Sequence, residues 1–223
     1  MKYSGFFASI LNGFFHRELF PHWQFFLPLG ISFYTFQSIA YVTDVYNAET
    51  EAENSLLKTA LFLSFFPQII QGPISFFDQL AHQLFEPHKI RYDNIKFGLE
   101  LMLWGFFKKM VIADRLYPAI QTGMEHYGDI HGAMVLFLLI LYSLQLYADF
   151  SAGIDISRGI ARLLDIDMIE NFWRPYFAVS VNDFWRRWHI SLGAFMKKYV
   201  FYPLGMSSFL SGPSHWIGTT KFG

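Results

Sequence analysis

The stretch GAMVLFLLILYSLQLYA, Gly132 to Ala148, sets the fold class of the whole chain. It carries no charge before Asp149, and a helix of about 20 apolar residues is what crosses a hydrocarbon core of about 30 Å. The surrounding composition agrees. Of 223 residues, 53% are hydrophobic, 20% are aromatic, with 27 Phe, and only 16% are charged. Soluble domains carry about a quarter charged residues, so the deficit marks lipid as the solvent for much of the surface.

Two more stretches are free of Asp, Glu, Lys and Arg: Leu19 to Thr43 and Thr59 to Phe77. Both are span candidates, yet Pro28, Gly30, Pro67, Gly72 and Pro73 interrupt them. Such breakers are tolerated at membrane depth only where other protein groups satisfy the freed backbone, so the second stretch reads as half helix, half re-entrant loop. Phe97 to Ala113 is apolar around Glu100, Lys108 and Lys109. It either spans with snorkelled lysines or lies along the interface. Tyr199 to Thr220, broken by Pro203, Gly205, Gly212 and Pro213, reads as re-entrant. The expected architecture is all-α: a polytopic membrane protein in which spanning and re-entrant helices form a bundle, with residues 1–223 in one domain.

A net charge of -1 and a pI near 6.7 exclude a strongly basic nucleic-acid binder. The absence of cysteine removes disulfides, thiolate metal sites and sulfur nucleophiles. The eight histidines show no HExxH spacing, so no bound metal is expected. YSGFFASILNGFF after Lys2 resembles a signal peptide, but His16, Arg17 and Glu18 follow instead of a small-residue cleavage site, and no processing is expected. Arg158, Arg162, Arg174, Arg186, Arg187, Lys197 and Lys198 all follow Asp149, which places that region on the cytoplasmic side by the positive-inside rule.

Chemistry concentrates in NDFWRRWHISL, Asn182 to Leu192. His189 is the candidate general base, because only histidine titrates near neutral pH without perturbation. With Asn182 as N-cap and no breaker before Gly193, the segment predicts one helix, with His189 on a face with Trp185, Arg186 and Leu192. Asp183 and Arg187 are spaced for an ion pair. Trp185, Trp188 and the two arginines read equally well as interfacial anchors around a structural histidine. Upstream, YADFSAGIDISRG places Asp149, Ser151 and Asp155 where the chain leaves hydrocarbon. Ionisable groups there face a bundle interior or a cavity. Asp155 is assigned to an ion pair with Arg158, a face that Arg162 continues; Asp149 stays open.

Taken together, LPLGISFYTFQSIAYVTDVY (Leu27 to Tyr46), FFPQIIQGPI (Phe65 to Ile74), ADFSAGIDISRGI (Ala148 to Ile160), ENFWRPY (Glu170 to Tyr176) and DFWRRWHISLGAFMKKYVFYPL (Asp183 to Leu204) resemble the membrane-bound O-acyltransferases. The nearest branch is the bacterial one that includes alginate O-acetyltransferase and the D-alanyl transfer protein of teichoic acid synthesis. The resemblance implies an acyl group, acetyl above all, passing from a cytoplasmic thioester donor, acyl-CoA or an acyl carrier protein, to a hydroxyl of a cell-envelope polysaccharide. It implies no bound cofactor, a place in the cell membrane, and lipid, donor and polysaccharide or a second envelope acyltransferase as partners. His189 becomes catalytic, and Trp185, Arg186, Arg187, Trp188, Asp149, Ser151 and Asn171 become site-lining, with Arg186 or Arg187 toward donor phosphates.

Two departures stand out. Relatives commonly read DFSGYSD where this chain has Ala152, Gly153 and Ile154, and the family's principal histidine, in a later segment of the form GLWHG, has no match here. His215 in PSHWIG has different neighbours. The resemblance thus implies a fragment, cut at both ends and inactive by itself. Rival readings are an acyltransferase acting on lysophospholipid or sterol, and a transporter or scaffold without chemistry.

Overall fold

The computed structural model describes residues 30–206 together with Ile10, Asn12 and Gly13. Among them every regular element is helical, as expected, and the single strand-like contact is an isolated antiparallel bridge between Phe172 and Trp188.

Helix α1, Ile31–Tyr46, begins at Gly30, whose φ of 75° is left-handed. A Cβ on Gly30 would lie 2.6 Å from the Ile69 carbonyl oxygen, so this turn requires glycine twice, for its conformation and for its close approach. The stretch Thr59 to Phe77 does break. Helix α2, Leu56–Leu63, stops before Pro67, which opens the short helix α3, Phe66–Gln71. Residues 72–76 then run without helix into α4, Phe77–Phe85. No continuous span forms there, because Gly72 and Pro73 end α3 and the freed polar groups find partners inside the protein. The Gln68 amide donates to the Pro73 carbonyl at 2.7 Å, and the Ile74 N–H donates to Ser191 Oγ at 3.0 Å.

Helix α5, Tyr92–Phe107, continues through a π-helical stretch, Lys108–Ala113, into α6, Asp114–Glu125. It lies along α7, Ala133–Leu163, whose 31 residues extend about 46 Å at the usual rise. Among the described residues α7 is the one helix long and apolar enough to cross a membrane. It runs well past Ala148. Its first half exposes Met134, Leu136, Phe137 and Ile140, whereas its second half buries Ser151, Ala152, Ile154, Ser157 and Ala161. Small residues permit the close α5–α7 contact: a Cβ on Gly98 would sit 2.7 Å from the Gly159 carbonyl oxygen, and one on Gly105 2.8 Å from that of Ala152. Such small-residue contacts are typical of helices packing in lipid.

Snorkelling does not describe Lys108. Its ammonium is buried, 2.7 Å from Asp155 and 2.8 Å from Ser151 Oγ, because the π-helical stretch turns it toward α7 instead of outward. Two apolar cores hold the remainder. Phe62, Phe65, Phe77, Leu80 and Leu84 pack against Ala161, Ile166 and Met168 near the end of α7. Ala40, Ile74 and Phe195 form the second, joined by Phe36 and Tyr199. Beyond it the chain is π-helical over Lys197–Phe201 and α-helical over Tyr202–Met206 (α10, after α8 and α9 below). The earlier part of Leu19 to Thr43, the signal-like start and His215 lie outside the described residues.

Candidate active site

The segment around His189 is two helices, not one. Helix α8, Val181–Arg187, is capped by Ser180, whose hydroxyl accepts the Asp183 N–H at 3.1 Å; the expected cap, Asn182, lies inside the helix. Asp183 and Arg187 do pair, at 2.9 Å, and that bond with the Val179 N–H holds the Asp183 carboxyl below its ordinary pKa. Trp188 then turns extended and His189 is left-handed, with φ 48° and ψ 56°, before α9, Ile190–Met196. His189 therefore shares no helical face with Trp185 and Arg186.

A strap from Ile166 to Trp173 causes the break. The Trp173 N–H donates to the Arg187 carbonyl at 2.9 Å, and the Ile190 N–H donates to the Asn171 carbonyl at 3.0 Å. The Ser191 N–H donates to Asn171 Oδ1 at 2.8 Å. These bonds draw 187–191 against the strap, and a left-handed residue is the result. For a residue with a Cβ that conformation costs roughly 1–2 kcal/mol, so tertiary contacts hold it.

His189 is half-buried, its ring edge-on to Phe150 of α7 at 4.9 Å and tilted on Phe172 of the strap at 6.4 Å. Burial among these rings pushes the imidazole down to about 4. It is thus neutral at physiological pH, the form a general base requires. Its Nδ1 is buried without a hydrogen-bond partner among the described residues. Trp188 stacks on Phe184 and meets Phe172 edge-on at 5.0 Å.

Trp185, Arg186, Trp188, His189, Leu192 and Lys197 contribute to the lining of one cavity of about 630 Å³. Arg186 and Lys197 make no ion pair among the described residues, so the lining carries two cations without a salt-bridge partner there. Arg187 does not line it, being tied to Asp183. Nor do Asp149 and Ser151, which hold the lysines of the π-helical stretch: Asp149 pairs with Lys109 at 2.7 Å and Ser151 takes Lys108. Asn171 is fully buried behind the kink. Asp155 pairs with Arg158 at 3.7 Å as expected, but Lys108 is its nearer partner, and Arg162 turns to Asp167. Phe150, Phe172 and Lys197 were missed in the sequence reading. The two phenylalanines sit inside ADFSAGID and ENFWRPY, so their motifs carried the available signal. Among the described residues no three His, Asp or Glu side chains group as a metal site.

The sequence profile of the membrane-bound O-acyltransferase family matches residues 53–219. The chain belongs to that family. A peptidoglycan O-acetyltransferase of Helicobacter pylori is 36% identical over 230 residues, covering 92% of this chain and 44% of the relative. A probable alginate O-acetylase of Azotobacter vinelandii is 37% identical over 207 residues, covering 92% and 41%. A teichoic acid D-alanyltransferase of Bacillus subtilis is 28% identical over 177 residues, covering 78% and 44%. The chain spans less than half the length of these relatives. NDFWRRWHISL lies inside the matched region.

Proposed function

We propose that the full-length protein transfers an acyl group, acetyl in the simplest case, from a thioester donor to a hydroxyl of a cell-envelope polysaccharide, with His189 as general base. The supporting observation is a neutral, half-buried imidazole at a cavity that also holds two unpaired cations. In the step itself, the imidazole takes the acceptor hydroxyl proton as that oxygen attacks the thioester carbonyl. The carbon–oxygen bond forms, the carbon–sulfur bond breaks, and the imidazolium returns its proton to the departing thiolate. Arg186 and Lys197 take the phosphates of an acyl-CoA or carrier-bound donor. Arg187 is excluded from that task by its bond to Asp183. The apolar walls keep water from the thioester.

On this reading the protein is a multi-pass protein of the inner or plasma membrane, with the donor cytoplasmic and with the acceptor, or a second envelope acyltransferase that carries the group onward, reaching His189 from outside through a tunnel between the helices. On the same reading these 223 residues alone are inactive, because the family's principal histidine, the one in the GLWHG segment, has no match among them. The test uses full-length protein in membrane vesicles with labelled acyl donor. His189→Ala should lower incorporation into polysaccharide at least about a hundredfold while insertion is unchanged. Wild-type incorporation by that variant overturns the role. Label appearing in lysophospholipid, or donor turnover absent in the wild type, favours the lipid-acylating or scaffold readings instead.

A further inference from the structure

A helix begins with N–H groups that have no partner within it, and the N-cap side chain ordinarily satisfies one of them. At α9 the N-cap residue is His189, and its side chain makes no capping hydrogen bond. The two donors that open the helix are nevertheless filled. The Ile190 N–H meets the Asn171 main-chain carbonyl at 3.0 Å, and the Ser191 N–H meets the Asn171 side-chain oxygen at 2.8 Å. Both oxygens belong to one residue on the strap, twenty positions upstream of Ser191, and that residue is 0% exposed. The Ser191 donor also fixes which end of the amide is oxygen, so Nδ2 is the atom left without a partner.

We propose that Asn171 is the positioning residue of this site: it caps α9 from a distance and thereby frees His189, the nominal N-cap, to present its imidazole. The assignment rests on the reading of His189 as general base. The capped turn is also the left-handed turn, so the bonds that complete the helix are those that hold His189 in a conformation it would not adopt alone. Phe172, the next residue of the strap, bridges Trp188 and lies against the imidazole. Asn171 and Phe172 therefore set the backbone and the ring of His189 from one segment. The ring's other neighbour, Phe150, comes from α7, and neither neighbour is charged.

Asn171→Ala in the full-length protein tests this. Loss of the side-chain oxygen frees the Ser191 N–H and loosens the turn. A displacement of about 1 Å at a reacting group costs about a hundredfold in rate, so kcat should fall to that degree while KM for the donor, held by Arg186 and Lys197, is unchanged. The acid limb of the kcat profile should also move up, toward the ordinary histidine value of about 6.5, as the imidazole becomes wetter. Ser157→Ala, which deletes a different buried hydrogen bond, to the Pro67 carbonyl, should lower thermal stability without moving either kinetic quantity. Asn171→Ala with wild-type kcat and acid limb, where His189→Ala is inactive, overturns the positioning role and leaves the general base standing. Full activity in His189→Ala overturns the general base itself. If Asn171→Ala does not insert, Asn171→Asp decides, because it keeps an acceptor for Ser191. Its kcat should stay within about tenfold of wild type, and a fall to the level of His189→Ala overturns the proposal.

Discussion

Helix α7 and the α8–α9 segment show opposite relations between sequence and structure. Along α7 an apolar run with good helix formers gives a helix that continues for 31 residues, past the charged motif that follows it. It runs on through Gly153 and Gly159, whereas Val181–Met196 holds no breaker before Gly193 and yet snaps at Trp188 and His189. The first element is set by local helix preference and a long apolar surface suited to lipid. The second is set by hydrogen bonds arriving from a strap in another part of the chain, strong enough to hold a β-carbon in left-handed space. The candidate general base lies where local and tertiary preferences disagree.

The comparison breaks most directly at Lys108. Replacing it with Met leaves Asp155 without its 2.7 Å partner and only Arg158 at 3.7 Å. Purified protein should lose about 3 kcal/mol of thermal stability, and Lys108→Met combined with Asp155→Leu should recover much of that loss. Gly159→Leu comes next, because its Cβ would lie 2.7 Å from the Gly98 carbonyl oxygen and the backbones would have to part. A loss of about 2 kcal/mol is expected, read as a lower melting temperature in micelles.

At the kink the sign reverses. His189→Gly and His189→Ala lose the same ring, but only glycine is at ease with φ 48°, so the glycine variant should melt later, by about 1 kcal/mol. The pH dependence sharpens the same point. The folded imidazole titrates at about 4 and an unfolded one at about 6.5. Between those values the unfolded chain binds more protons, so His189 contributes stability above about pH 6.5 that is lost as pH falls toward 4. Wild-type melting should therefore fall over that window more steeply than melting of His189→Gln. Smallest of all is Gly193→Ala, whose Cβ would meet only the Trp185 carbonyl oxygen, at 3.7 Å. Its stability, read from the melting temperature, should change by no more than about 0.5 kcal/mol.

Much of the fold was legible in the chain. Gly132 to Ala148 announced α7, Pro67, Gly72 and Pro73 announced the broken α2–α4 region, and Asp155 with Arg158 and Asp183 with Arg187 announced their pairs, since all of these are local in sequence. The candidate site was legible only as a set of residue types. Trp185, Arg186, Trp188 and His189 do meet at one cavity, but through a kink and not a shared helical face. Asp149, Ser151 and Arg187 are drawn to other partners.

By itself, then, the sequence determined an all-α membrane chain, because solvent preference and helix periodicity are written residue by residue, and its motifs carried the resemblance to the O-acyltransferase family. Tertiary structure alone decided that Lys108 turns inward to Asp155 and that Asn171 caps a helix it does not belong to, leaving His189 unencumbered. Those contacts join residues far apart in the chain: Lys108 and Ser151 are 43 positions apart, and Ser191 and Asn171 are 20 apart. No local pattern encodes them, because a buried charge or an open N–H accepts whichever partner the packed chain brings within reach.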